Sequence, residues 1–273
     1  MATQADKGRA FRALHQRDGA FIIPNPWDPG TARLLARCGF EALATTSAGF
    51  AFSVGRPDNT VGRDRMMAHV EAIASATDLP VSADLENGYG DDAAAVAETI
   101  RRAAAAGAVG GSIEDATGRP DDPLYPLTHA QERIAAAAEI VRRLDVPFTL
   151  TARAENYLVG RADLADTIAR LQAYQSAGAN VLYAPGLTSP DDIATVVRSL
   201  DRPVNVLAGV SGARLSLTDL SALGVRRVSV GSLLSRTALG AFLRAASEMR
   251  EHGTFSFAEE AVPYRDISEM FHG

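Results

Sequence analysis

Ala106-Gly107-Ala108-Val109-Gly110-Gly111-Ser112-Ile113-Glu114-Asp115 carries the reading of the fold. A glycine stands where the Ala-rich amphipathic stretch 91–106 stops, an apolar run follows, and two acids close it. Glycine ends a helix well because it enters the left-handed region without a Cβ penalty. The same pattern recurs at Cys38-Gly39-Phe40, before Ala42-Leu43-Ala44-Thr45-Thr46, and at Ala177-Gly178-Ala179, before Asn180-Val181-Leu182-Tyr183-Ala184. Elsewhere a proline opens the run, as in Leu79-Pro80-Val81, Val146-Pro147-Phe148 and Arg202-Pro203-Val204. The missing N–H is tolerated at the first residue of a strand.

Working outward, eight short apolar runs appear, at 20–24, 42–46, 80–84, 109–114, 147–151, 180–184, 203–207 and 227–231. Amphipathic stretches such as 91–106, 128–143 and 162–177 separate them. Repeated βα units of this kind predict a (β/α)8 TIM-type barrel, with an open doubly wound sheet as the alternative. No Gly-x-Gly-x-x-Gly follows the first run, which counts against dinucleotide binding. No Pro- or Ser-rich linker divides the chain, so one domain is expected over 1–273, the barrel spanning about 18–250 and a tail about 251–273.

Composition narrows the function. Of 273 residues, 47% are hydrophobic and 22% charged, which excludes a disordered chain. The formal net charge of −6 leaves no basic footprint for nucleic acid. Cys38 is the one cysteine, so no intramolecular disulfide and no multi-cysteine metal site can form. It is expected to pack at a helix end. No segment approaches the ~18 apolar residues of a membrane span, and the polar N-terminus does not read as a leader, so a cytoplasmic location is expected.

In a barrel the chemistry sits at the C-terminal ends of the strands. There the third run leads into Asp84-Leu85-Glu86-Asn87-Gly88-Tyr89-Gly90, the fourth ends Glu114-Asp115, and the fifth leads through Thr151-Ala152-Arg153-Ala154-Glu155-Asn156, so acidic groups from neighbouring strands converge on one rim. Asp84 and Glu86 share parity and would face one side if the strand extends that far. Crowded carboxylates need a cation or a proton between them. Oxygen donors without nearby His or Cys suit Mg²⁺, or Mn²⁺, rather than zinc. Asp84 is the expected direct metal ligand, with Glu86 and Glu114 acting largely through water. The planar fork of Arg153 suits a substrate carboxylate beside the metal, or a salt bridge to Glu114 or Asp115. Asn205 is placed to donate to a substrate oxygen, or to sit satisfied within the barrel. The loop Thr45-Thr46-Ser47-Ala48-Gly49-Phe50 offers hydroxyls and N–H groups to an anion. Asp28 reads as a helix cap and His129 as a helix-surface residue. The segment 116–127, with Gly118, Pro120, Pro123 and Pro126, reads as a lid.

The chain resembles the isocitrate lyase / phosphoenolpyruvate mutase superfamily along nearly its whole length. The resemblance is carried by Asn25-Pro26-Trp27-Asp28-Pro29-Gly30-Thr31-Ala32-Arg33, Thr46-Ser47-Ala48-Gly49, Gly55-Arg56-Pro57-Asp58, 83–90, 111–115 and Thr151-Ala152-Arg153. It implies an Mg²⁺-dependent barrel enzyme acting beside a 2-oxo carboxylate. Metal and substrate would lie near Asp84, Glu86 and Glu114, with Arg153, Asp58 and Glu114 catalytic. Thr46, Ser47, Ala48 and Asn205 would bind the substrate. It also implies a homo-oligomer, a dimer of dimers that exchanges the C-terminal helical tail.

The departures shape the reading. The Lys-Lys/Arg-Cys-Gly-His loop of the isocitrate and methylisocitrate lyases is replaced here by 116–127, which speaks against isocitrate cleavage. Glu86 stands where many relatives carry aspartate, and Tyr183-Ala184-Pro185 replaces Phe-Pro-Glu. The expected function is C–C cleavage of a small 2-oxo or 2-hydroxy acid through an enolate. A P–C bond enzyme is the first alternative, and a non-catalytic dicarboxylate-binding barrel the second.

Overall fold

The computed structural model describes residues 2–209 and 215–272. Eight parallel strands run in the order β1-β8-β7-β6-β5-β4-β3-β2. They are β1 (Phe21–Ile23), β2 (Leu43–Ala44), β3 (Val81–Asp84), β4 (Gly110–Glu114), β5 (Thr149–Arg153), β6 (Val181–Tyr183), β7 (Val204–Leu207) and β8 (Arg227–Ser229). The first strand pairs with the last, Ile22 opposite Val228, which excludes the open doubly wound sheet. The seam between β1 and β2 is spanned by Ala44 N–H donating to the Pro24 carbonyl at 3.0 Å. The barrel is therefore nearly closed, and it is the (β/α)8 type that the repeats predict.

The helices are α1 (Gln4–Gln16), α2 (Pro29–Arg37), α3 (Ser47–Ser53), α4 (Arg63–Ser75), α5 (Ala93–Ala105), α6 (Leu127–Arg143), α7 (Leu164–Ala177), α8 (Pro190–Arg198), α9 (Leu217–Ala222), α10 (Leu233–His252) and α11 (Tyr264–Glu269). Their starts are written in the sequence. Asp28 caps α2 in a reciprocal box with Thr31, and Asp92, Asp163 and Ser189 accept from the first turns of α5, α7 and α8. Gly107 and Gly178 leave their helices at φ of +93° and +109°, where any other residue would be strained.

Helix α1 plugs the N-terminal mouth. Its Phe11 and Leu14 bury against Phe21, Ile23, Ala42 and Val109. The opposite mouth is left to polar side chains. Beyond the barrel, α10 carries Phe242 and Leu243, 67% and 63% exposed. The last residues fold back on α2, where Arg33 and Arg37 donate to the carbonyls of Phe271 and His272.

Three expectations change. The segment after β2 is not a loop: Thr46 accepts from Gly49 N–H and starts α3. Small Ser, Ala and Gly residues hid this short helix behind a weak periodicity. β3 stops at Asp84, and Glu86 sits beyond it at φ +50°, so shared parity along a strand is not what brings the two carboxyls to one rim. Cys38 closes α2 but is exposed rather than packed.

Candidate active site

A cavity of about 190 Å³ opens at the C-terminal mouth between Ser47, Asp58, Asp84, Arg153 and Tyr183. A second hollow of about 470 Å³ adjoins it, bounded by Glu114, Glu155 and the segment around Gly118 and Pro120. Arg153, at the end of β5, stands between them. Its Nη1 is 3.0 Å from Asp84 Oδ1, its Nη2 is 3.1 Å from Glu114 Oε2, and its Nε is 2.8 Å from Glu155 Oε1. The guanidinium also lies over the Tyr183 ring, 5.3 Å from its centroid.

Asp84 is held from the other side. Its backbone N–H donates to Thr45 Oγ1 at 2.8 Å, and its Oδ2 accepts from Ser47 N–H at 3.0 Å. The start of α3 thus points at a carboxylate of the chain itself. Ser47 N–H is engaged there, and Thr46, Ser47 and Ala48 all line the cavity.

Negative charge is in excess. Burial together with Asp84 and Asp58 pushes the Glu86 carboxyl up to about 8. Burial and Asp84 likewise raise Asp58. Burial holds Glu114 well above the usual carboxylate range, despite the opposing pull of Arg153. Glu86 Oε1 is buried without a hydrogen-bond partner among the described residues, and so is the hydroxyl of Tyr89. Burial, then Glu86, Asp84 and Glu114, push the Tyr89 phenol far up. An orphaned carboxylate oxygen among like charges leaves a donor for a cation. Among the described residues no three of Asp, Glu, His and Cys converge as a cage. The oxygen donors present, with the orphaned Glu86 Oε1 among them, fit a hard, partly hydrated ion such as Mg²⁺, which keeps its waters and takes few carboxylates directly.

The remaining candidates divide. Asn205 is fully buried in the inner wall, where its Nδ2 donates to Ser229 Oγ at 3.0 Å and its Oδ1 accepts from Arg227 Nε at 2.9 Å. Asp115 turns out of the barrel. It accepts from Glu155 N–H at 2.8 Å and pairs with Arg170 at 3.0 Å, so it supports the rim without facing the cavity. His129 lies outside the site, its Nε2 2.8 Å from the Asp91 carbonyl oxygen. The segment 116–127 is folded, with an antiparallel bridge between Ala116 and Leu124, and it borders the second hollow. Glu155, expected among the acids of this rim, is there and pairs with Arg153. Tyr183, Tyr89 and Arg227 received no role from sequence, and period-two inward facing along β8 would have flagged Arg227.

The profile of the phosphoenolpyruvate phosphomutase family matches residues 11–250. The chain belongs to this family. Its members are lyases and mutases. A candidate lyase/mutase of Burkholderia cenocepacia J2315 is 65% identical, with a TM-score of 0.97 over 99% of this chain and 97% of that one. An uncharacterized protein of Mycobacterium tuberculosis, Rv1998c, is 32% identical over 94% of both chains. The phosphonopyruvate hydrolase of Variovorax sp. Pal2 is 29% identical over 97% of this chain and 94% of its own. A phosphonopyruvate hydrolase solved with oxalate and Mg²⁺ superposes with a TM-score of 0.86, at 27% identity, over 98% and 95% of the two chains. Family relatives also include an oxaloacetate decarboxylase of Chromohalobacter salexigens and a 2,3-dimethylmalate lyase. No helix among the described residues is long and apolar enough to cross a membrane.

Proposed function

We propose that this family member is an Mg²⁺-dependent lyase that cleaves a C–C bond of a small 2-oxo or 2-hydroxy carboxylic acid through an enolate. The observation that carries the reading is the excess of carboxylates around one guanidinium, with the buried Glu86 Oε1 left unpaired. Asp84 would hold the ion directly, with Glu86 and Glu114 reaching it largely through water. Bound there, the ion would supply Lewis-acid stabilisation of the charge that develops on the substrate oxygens.

The chain's own residues do the rest. The hydroxyls of Thr46 and Ser47, with Ala48 N–H, hold the substrate carboxylate. Arg153 is kept rigid by its three carboxylates and presents fixed positive charge to the enolate as the bond breaks. Asp58 lines the cavity, and burial with Asp84 raises its carboxyl above the ordinary value, which suits it to pass a proton beside the reacting group. Glu114 holds Arg153 in place. Asn205 donates from the inner wall. The segment 116–127 closes the outer hollow against water.

A second reading, hydrolysis or migration at a P–C bond, is favoured by the similarity to phosphonopyruvate hydrolase over almost the full length of both chains. It needs the same ion and the same enolate. The exposed apolar face of α10 and the tail that follows supports assembly with further copies of the chain, in a dimer of dimers. The test is a panel of 2-oxo, 2-hydroxy and phosphono acids with Mg²⁺, read out as pyruvate, glyoxylate and phosphate. Release of a 2-oxo product from a phosphorus-free acid supports the lyase, and release of phosphate from a phosphono acid, or its rearrangement to a phosphate ester, supports the second reading. No turnover, together with no Mg²⁺-dependent binding of oxalate, would remove both.

A further inference from the structure

The interior of a (β/α)8 barrel is usually filled by branched apolar side chains in layers. Here the layer beneath Asp84 and Arg153 is polar. Ser82, Ser112, Thr151, Asn205 and Arg227 occupy it, and the cavity reaches down between them as far as Arg227. Arg227 is 4% exposed. A buried guanidinium is ordinarily matched by a carboxylate, because an unpaired buried ion loses its hydration without compensation.

Arg227 has no such match among the described residues. Its Nε donates to Asn205 Oδ1 at 2.9 Å, its Nη2 donates to Thr151 Oγ1 at 3.1 Å, and its Nη1 stands 3.5 Å from His15 Nε2. All three acceptors are neutral. The imidazole of His15 sends Nδ1 toward the Phe11 carbonyl oxygen at 2.8 Å, so its Nε2 carries the lone pair. Burial and Arg227 together hold the His15 ring far below the usual histidine value, at about 3. The carboxylates of the rim are taken up by Arg153, one layer above.

The contacts also set what the wall can bind. Arg227 occupies Asn205 Oδ1, so the amide can turn only its Nδ2 donor toward a ligand. The hydroxyls of Ser82, Ser112 and Ser229 line the same space and can donate as well. The inner end of the cavity is a set of donors around one uncompensated positive charge.

From this we infer that Arg227 is a specificity-determining residue that receives a second carboxylate of the substrate, so that the site prefers dicarboxylic to monocarboxylic acids. The inference rests on the reading of the rim as an ion–oxyacid site and adds where the far end of the molecule goes. The first carboxylate stays at the rim, and the second points into the barrel, where Arg227 and Asn205 Nδ2 take it. A methyl group in its place would leave the charge unmatched.

Calorimetry with Mg²⁺ tests this with three probes. Oxalate is too short to span both ends. Malate and 2-hydroxybutyrate have the same carbon chain and differ only in the far carboxylate. The wild-type protein should bind malate at least about tenfold more tightly than 2-hydroxybutyrate, as expected for a charge-assisted hydrogen bond. Arg227→Gln should erase that preference while leaving oxalate affinity within roughly twofold, and Arg227→Lys should restore part of it. Equal wild-type affinity for malate and 2-hydroxybutyrate overturns the inference without any variant. Equal weakening of oxalate and malate in a folded Arg227→Gln protein also overturns it. If wild-type protein binds no oxalate but keeps an Arg227-dependent malate preference, the ion site falls and the inference stands.

Discussion

Arg153 Nη1 stands 3.0 Å from Asp84 Oδ1 although β4 lies between their strands. The guanidinium reaches across the mouth of the barrel, and on the way it meets Glu114 on the intervening strand. The pair joins the proposed ion ligand to the proposed enolate-stabilising group, so a change at either should be felt at both.

Asp84→Ala should abolish Mg²⁺-dependent turnover while leaving the fold. The variant keeps Arg153 paired to Glu114 and Glu155, and it relieves like-charge repulsion on Glu86 and Asp58. Loss of stability without added metal should therefore stay below about 1 kcal/mol, which denaturant titration measures. Wild-type activity in this variant on an identified substrate would reassign the ion elsewhere.

Arg153→Lys keeps the charge but loses the planar fork that places Nε, Nη1 and Nη2 each on a different carboxylate. A rate loss on the order of a hundredfold is expected, because a fixed electrostatic donor is lost. Unchanged kinetics would make Arg153 a structural ion-pair partner only.

The pH dependence has a definite sign. The Glu86 carboxyl is raised in the folded chain to about 8, above its ordinary value of 4.5. Between those values the folded state holds the extra proton, so stability without metal should fall as pH rises through this window. Mg²⁺ competes with that proton, so the rise in Tm on adding Mg²⁺ should be larger at pH 8 than at pH 6. Thermal melts at the two pH values, with Mg²⁺ or with a chelator, decide the matter; an equal shift at both would show that Glu86 does not sense the ion.

Phe242 and Leu243 present apolar surface on α10 that nothing among the described residues covers. Sedimentation should find the wild-type protein oligomeric, and Phe242→Ser with Leu243→Ser should shift it toward smaller species. A monomeric wild type would remove the expected dimer of dimers.

Much of this was legible in the residues. The eight runs, their opening prolines and the helix-ending glycines announce the barrel, because local backbone chemistry punctuates each βα unit. The acids at Asp84 and Glu114 and the base at Arg153 are legible for a related reason. Strand ends of a parallel barrel share one rim, so residues far apart in sequence had to meet there. The departures lie where direction matters more than position. Asp115 follows Glu114 yet turns outward to Arg170, and Glu86 reaches the site only through a left-handed turn.

The chain's own order of residues therefore determined the repeat, the caps and the set of charges delivered to one mouth of the barrel. Only the tertiary structure decided how those charges are shared. Arg153 is saturated by three carboxylates while Arg227, one layer deeper, has none among the described residues. Periodicity assigns a side chain to the inside or the outside, but pairing depends on which side chains from non-adjacent strands come within hydrogen-bond reach. Barrel closure and the height of each layer set that reach.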